Sequence, residues 1–436
     1  MDSFTYDNGS LRCEGVDLHD VAAEYGTPTY VYSRSTLATH LADLTAAFAD
    51  LDPLVCYAVK TCSNLHLLSE LASGGAGADV VSGGELHRAI TAGIPAERIV
   101  FAGVGKSQAE LEEAVAHNIG CINVESESEL ELLARVVAES GRPQNVAVRV
   151  NPDVEGHNTP EKTTTGTRGS KFGVDLERVA DIFARAAGLP HLRLTGLHVH
   201  LGSPIHSPEP YVRALTRVLA LAAELRAAGH TVELINMGGG FAAAYETGSA
   251  PGWKDYAEAI VPVLRPFVEA GGRVVMEPGR SIAANAGILL TRVRYLKQAG
   301  DRTVAIVDAG MNNLIRAAFY DAFHFMWPVR PAGGVVPPAR TESLSLDGSV
   351  PYDVAGPICE SSDYLARDRA LPVLREGDLI AVFGAGAYGM TMASQYNSSL
   401  RPAEVLVEGS AGRLIRRRDT YEDLVAAELG LPGSRI

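Results

Sequence analysis

No apolar run in this chain approaches the roughly 20 residues a membrane-spanning helix needs, so the sequence does not read as a helical membrane protein. The opening residues, MDSFTYDNGSLRCEG, lack a basic segment followed by an apolar one, and no signal peptide is expected. Cysteine is scarce: five residues, at 13, 56, 62, 121 and 359, form no CxxC pair and are odd in number. They read as reduced thiols, and the expected location is the cytoplasm. No block of like charge stands out. The net charge of −14 is spread along the chain, which argues against nucleic acid and against anionic membranes as partners. There is no low-complexity tail and no short repeat. What remains is an ordinary globular composition, 46% apolar and 21% charged over 436 residues, long enough for two domains.

Strand-like runs recur, each followed by an amphipathic stretch. They are LVCYAV (54–59), ADVV (78–81), RIVFAG (98–103), CINVES (121–126), NVAVRVNP (145–152), LTGLHVHLGS (194–203), VELINMGGG (232–240) and RVVMEPGR (273–280). AELEEAVAHN (109–118) and SELELLARVVAES (128–140) read as intervening helices. Eight strand–helix units over about 250 residues match a (β/α)8 barrel. After about residue 285 the pattern changes: ILLTRVRYLKQAG, RTVAIVDAG, DLIAVFGAG and AEVLVEG lie between glycine and proline turns, with no long helix between them. The expected fold class is therefore α/β: a TIM-like barrel over 34–285, plus a mostly β domain, a sandwich or barrel, from 1–33 and 286–436. The strand TPTYVYS (27–33) belongs with the later sheet, and VRPAGGVVPPAR (329–340) reads as a loop.

In a parallel barrel the C-terminal strand ends converge on one mouth, so polar residues there can share a site. Alternation along VCYAVK puts Cys56, Ala58 and Lys60 on one face, and a desolvated lysine at a strand end can form a Schiff base. The bland alternative is a lysine reaching solvent. His198 and His200 are two apart and share a face with Gly196. They read as core histidines, as metal ligands, or as a ring stacked on a flat ligand. Gly202 and Ser203 after them suit an anion. Gly238, Gly239 and Gly240 follow the seventh strand, where barrel phosphates commonly bind, although three glycines also make a tight turn. Glu277, at the end of the eighth strand, needs a cationic or protonated partner. A protonated pyridine nitrogen would serve, as would an internal pair with Arg280, whose guanidinium fork also suits phosphate or carboxylate. Late in the chain, GPICESSD places Cys359 and Glu360 in a loop, and GAYGMTMASQYN sets Tyr388 between glycines. A lysine, a flat stacking surface, a phosphate cradle and a carboxylate for a ring nitrogen are the requirements of pyridoxal 5′-phosphate (PLP).

These motifs carry a resemblance. EGVDLHDVAAEYGTPTYVYS, YAVKTCSN, GADVVSGGEL, VRVNPDV, KFG, HVHLGS, GGG, EPGRSI, DAGMNNLIRAAFYDAFH, CESSD and GAYGMTMASQYN occur in order over nearly the whole chain. The chain is similar to the barrel-type (fold type III) PLP-dependent decarboxylases of the ornithine/diaminopimelate/arginine decarboxylase family, most of all to the diaminopimelate decarboxylases of lysine biosynthesis. The resemblance implies that Lys60 is the Schiff-base lysine and His200 the stacking histidine. It implies that Asp79, Ser203, Gly239, Gly240, Gly279, Arg280 and Tyr388 hold the cofactor, and that Glu277 pairs with the ring nitrogen. Arg280, Arg316, Tyr320, Glu360 and Tyr388 would bind substrate, and Cys359 would protonate the carbanion. It further implies a homodimer with shared active sites, the CES loop coming from the partner subunit.

The chain departs from the family pattern at Gly202-Ser203-Pro204, where GSQ is usual, and at GGGFA, where GGGLG is usual. These positions bear on substrate rather than on PLP chemistry. A relative acting on another amino acid, or on an aminoacyl group tethered to a carrier protein, would share the same motifs. Three other classes compete. A racemase on this barrel commonly places arginine opposite the ring nitrogen, where this chain has Glu277. A barrel metallohydrolase carries its HxH on the first strand rather than the sixth. A non-enzymatic binding protein derived from a decarboxylase would be expected to lose PLP contacts.

Overall fold

The computed structural model describes residues 2–154, 165, 169–429 and 431. The chain divides into two compact units, Ala38–Ala243 with Pro251–Ile282, and Met1–Leu37 with Ala244–Ala250 and Ala283–Ile436.

The first unit is the barrel. Its strands are Leu54–Ala58, Gly77–Val80, Ile99–Phe101, Cys121–Val124, Gln144–Asn151, Leu192–His198, Leu234–Asn236 and Arg273–Met276. Each pairs in parallel with the next, and the eighth closes on the first through Val275 and Met276. Strands covered on both faces read as continuous apolar runs rather than alternating ones, which is why all eight were visible in the sequence. The two helices read from periodicity are present as Gln108–His117 and Glu127–Ser140. Local chemistry sets the strand-to-helix turns: Asn64, Ser82, Ser107 and Ser126 cap the four helices after the first four strands, each accepting a backbone N–H of the first turn. Inside the barrel, Cys56, Val100, Cys121, Ala147, Leu234 and Val275 form a buried apolar cluster. The interior is thus filled, and only the strand ends are left to build a site.

The second unit is a mixed sheet. Its path runs Tyr364–Leu371, Val350–Ala355, Arg302–Val307, Gly287–Ala299, Thr29–Ser33, Ala403–Glu408 and Ala411–Arg416. Leu379–Val382 pairs with both Gly287–Ala299 and Met326–Pro328. The early strand Thr29–Ser33 lies antiparallel to Gly287–Ala299 and parallel to Ala403–Glu408, as expected of TPTYVYS. Phe4–Asp7, Ser10–Cys13 and Val16–Asp17 make a small antiparallel sheet.

Candidate active site

The mouth residues are positioned by where each strand stops. The first strand ends at Ala58, and Val59–Thr61 form a single 3-10 turn. Lys60 therefore rides on a turn, not on the strand face shared with Cys56 and Ala58 that alternation suggests. The cause is local hydrogen bonding: the Ala58 N–H donates to the Pro278 carbonyl at 3.0 Å, and the Thr61 hydroxyl donates to the Ala58 carbonyl at 2.7 Å. From the turn, Lys60 Nζ reaches Asp79 Oδ2 at 2.5 Å, with its own side chain 36% exposed and Asp79 fully buried. Burial, and then the nearby Glu277, push the Asp79 carboxyl up to about 6 against the pull of Lys60.

The sixth strand ends at His198, so His200 lies in the loop beyond it. The two rings do different things. His198 Nε2 lies 3.2 Å from Glu277 Oε2. His200 Nδ1 accepts the Gly239 N–H at 3.2 Å, which leaves its proton on Nε2. Burial, then the charges of Arg149 and Lys60, push His200 well below the ordinary imidazole range, so it presents a neutral ring. Glu277 follows the eighth strand directly. Its Oε1 accepts from Asn236 Nδ2 at 2.6 Å and from Asn123 Nδ2 at 3.5 Å. Burial alone would raise this carboxyl, but His198, then Lys60, outweigh it and hold Glu277 below the usual carboxylate range.

Gly239 is required by close approach: a Cβ there would lie 2.0 Å from the Glu277 carbonyl oxygen. Gly239→Ala is accordingly expected to lower the melting temperature of the cofactor-free protein by several degrees, the effect of about 1–3 kcal/mol of overpacking, as calorimetry would measure. The Gly240 carbonyl accepts the Ile205 N–H, and the Gly279 carbonyl accepts the Ile282 N–H. Arg280 Nε donates to the Ser203 hydroxyl at 3.0 Å. In GGGFA, Phe241 faces inward, 1% exposed. It stacks on Tyr211 at 5.1 Å and meets Tyr256 and Trp253 edge-on at 5.0 and 5.2 Å. That departure from the family pattern is a packing feature.

Lys60, Arg149, Thr165, His198, His200 and Glu277 line a cavity of about 360 Å³, within the usual range for small-molecule sites. Arg149 was not singled out from sequence. Its Nη1 donates to Glu125 Oε1 at 2.9 Å, its guanidinium lies 4.6 Å over the Phe172 ring, and Glu125 also accepts the Gly103 and Gly173 N–H groups. Asn123, Asn236 and Glu85 were missed as well. Burial pushes the Glu85 carboxyl up to about 7.

The donor set fits PLP. Three buried polar atoms bordering or beneath the cavity, Asp79 Oδ1, His198 Nδ1 and Arg149 Nε, have no hydrogen-bond partner among the described residues, so polar groups there await a ligand. Lys60 would hold the aldehyde carbon, Glu277 the ring nitrogen, and Ser203, Gly239 and Gly240 the phosphate.

The remaining predicted residues lie in the β unit. Arg316 is buried and opens the short helix Arg316–Tyr320. Its Nη1 is 2.8 Å from His324 Nε2, and His324 Nδ1 is 2.9 Å from the Phe383 carbonyl. That pair of contacts requires the neutral Nδ1–H tautomer. The Arg316 guanidinium also lies 4.8 Å from the Tyr245 ring centroid. Tyr320 is half-buried, edge-on to Phe319. Tyr388 is half-buried at a positive φ of 56° between Gly386 and its neighbour Gly389. Cys359 is the exposed cysteine, while the other four are buried, so only its thiol can meet a ligand arriving from solvent. Its N–H donates to Asn397 Oδ1 at 2.7 Å, and Glu360 Oε2 accepts the Tyr396 hydroxyl at 3.2 Å. Asp363 shapes this loop from beneath, accepting the Met311 and Ile358 N–H groups at 2.6 Å each.

Residues 34–284 match the family model of the pyridoxal-dependent decarboxylase, pyridoxal binding domain. The chain is 44% identical over 435 residues to the diaminopimelate decarboxylase of Pseudomonas aeruginosa, covering 99% of this chain and 100% of the relative. It is 43% identical over 433 residues to that of Vibrio cholerae, with the same coverage. Among solved structures, the diaminopimelate decarboxylase of M. jannaschii in complex with L-lysine superposes with a TM-score of 0.90 at 34% identity, covering 99% of this chain and 98% of the other. With a closed parallel barrel, a mouth lysine paired to a buried aspartate and identity of this extent over its full length, the chain belongs to the pyridoxal-dependent decarboxylases, in the diaminopimelate decarboxylase family.

Proposed function

We propose that the protein removes one carboxylate of meso-diaminopimelate, giving L-lysine and CO2, with PLP held at the barrel mouth through Lys60. The observation that carries this reading is Glu277, a buried carboxylate held in its charged form by His198 and Asn236 on the wall of a cavity that Lys60 also lines. Bound PLP supplies a protonated pyridine ring that takes up the electron pair left by the departing carboxylate. Glu277 keeps the proton on the ring nitrogen. Asp79 holds the Lys60 amine at the cavity edge. His200 offers a neutral face for stacking. By their match to the family motifs, Ser203, Gly239, Gly240, Gly279, Arg280 and Tyr388 hold the cofactor, its phosphate above all. By their match to the family motifs, Cys359 delivers a proton to the α-carbon and Glu360 receives the distal ammonium. By the same match, Arg280 and Arg316 take the distal carboxylate as guanidinium forks, and Tyr320 and Tyr388 bind substrate. The relatives named diaminopimelate decarboxylase, one of them solved with L-lysine, support the choice of substrate.

A substrate needing both a distal ammonium and a distal carboxylate should be strongly preferred. The expected kcat/KM for meso-diaminopimelate exceeds that for ornithine, lysine or glutamate by at least about a hundredfold, because each of these leaves a polar partner unmatched. Negligible turnover of diaminopimelate beside robust turnover of another amino acid, or of a carrier-tethered aminoacyl group, would overturn the assignment.

The assembly follows the same reading: a cytoplasmic homodimer in which the CESSD loop completes the partner's site. No described helix is long and apolar enough to cross a membrane. Inactive Lys60→Ala and Cys359→Ala proteins, mixed under conditions of demonstrated subunit exchange, are expected to regain activity, since a mixed dimer then has one intact site. Absence of recovery would place both residues in the site of one chain.

A further inference from the structure

Asn236 ends the seventh strand and is completely buried. Its amide is used on both sides. Nδ2 donates to Glu277 Oε1 at 2.6 Å, and Oδ1 accepts the Gly238 N–H at 3.0 Å. Chemistry dictates this orientation, since a backbone N–H can only donate and an ionised carboxylate can only accept. The Gly238 turn has little freedom of its own: φ is +69°, and a Cβ there would lie 2.4 Å from the Val199 carbonyl oxygen. Gly238 is also tied back to Glu277, whose N–H donates to the Gly238 carbonyl at 2.8 Å. Gly238 and Glu277 are thus joined twice, once through backbone and once through the Asn236 side chain. An apolar residue, which the surrounding run VELINM would lead one to expect, makes neither bond. Aspartate makes only one.

We propose that Asn236 is a positioning residue that couples the two ends of the cofactor site, aiming the Glu277 carboxylate at the ring nitrogen and fixing the glycine turn that faces the phosphate. This rests on the reading of Glu277 and the Gly238–Gly240 turn given above.

Two substitutions separate the two tasks. Asn236→Asp keeps an acceptor for the Gly238 N–H but sets a second carboxylate against Glu277, so the two acids must share a proton. Asn236→Ala removes both bonds. PLP is titrated into each cofactor-free protein and followed by its visible band, and kcat and KM are measured on the loaded enzymes. For Asn236→Asp we expect PLP affinity within about threefold of wild type, kcat lower by about 10–100-fold with KM little changed, and a visible band that becomes pH-dependent between about pH 5 and 8. For Asn236→Ala we expect PLP affinity to fall by about tenfold or more as well. An Asn236→Asp enzyme with wild-type kcat and a pH-independent band overturns the proposal, whether or not the alanine variant folds. So does a folded Asn236→Ala protein with unchanged PLP affinity. Glu277→Gln is the control. If it turns over normally, the reading of Glu277 itself fails. If it is impaired while Asn236→Asp is not, only the role of Asn236 fails.

Discussion

The Lys60→Ala protein is expected to lose the visible absorbance of the bound cofactor and about 10⁴-fold or more in kcat, since both covalent attachment of the cofactor and release of the product amine depend on the Lys60 amine. Stability should respond too, in a direction the electrostatics fix. Asp79 is fully buried and paired to Lys60 at 2.5 Å, and its carboxyl already sits at about 6, above the ordinary 3.8. A carboxyl whose folded-state value is raised favours folding below its unfolded value, and that contribution is lost as pH rises through the folded one. In the wild type this window runs from about pH 4 to 6. Without the ammonium the Asp79 carboxyl moves higher still, so the variant's melting temperature should fall more steeply than the wild type's between pH 4 and 8. Parallel melting curves over that range would contradict this account of the pair.

Glu277→Gln is expected to retain PLP yet lose about 10²–10³-fold in kcat, the usual cost of removing one preorganised electrostatic contact from a buried site. The substitution is close to isosteric, and the Asn236 amide can still donate to the side-chain oxygen, so the site should keep its shape. What changes is charge. Glutamine cannot hold a proton on a ring nitrogen, and a neutral ring is a poor electron sink. KM should move little, because the contact matters most when charge develops. A kcat near wild type would remove Glu277 from the mechanism.

How much of this was legible in the sequence depended on which forces set each feature. The barrel strands were legible because burial on both faces leaves apolar runs such as LVCYAV and NVAVRV, and the N-terminal strand because TPTYVYS carries β-branched and aromatic residues throughout. Strand ends were less so. Lys60 and His200 both sit two residues beyond a strand end, and at Lys60 the bonds of Ala58 to the Pro278 carbonyl and the Thr61 hydroxyl shape the turn, partners that periodicity does not record. The polar residues beneath the mouth left a signal that went unused. Asn123 in CINV, Arg149 in VAVRV and Asn236 in LIN are polar residues inside otherwise apolar runs, and a buried polar group needs a partner. What could not be read was the partner itself, since Arg149 meets Glu125 and Asn236 meets Glu277 only once neighbouring strands pair. The GGGFA segment shows the reverse case. A departure at the mouth in sequence proves to be an inward aromatic, with Phe241 packed on Tyr211, Trp253 and Tyr256.

The central claim is that PLP is carried on Lys60 at the barrel mouth, and reduction of the PLP-loaded wild-type protein with borohydride, followed by peptide mapping, tests it most directly. The chain has six lysines, at 60, 106, 162, 171, 254 and 297. Among the described lysines Lys106 is the buried one, but its ammonium is committed to Glu129 and to the Gly103 and Asn123 carbonyls at 2.7–2.8 Å. The pyridoxyl group should therefore be found on the peptide containing Lys60 and on no other. Its recovery on Lys106, or on any lysine outside the mouth, would contradict the account.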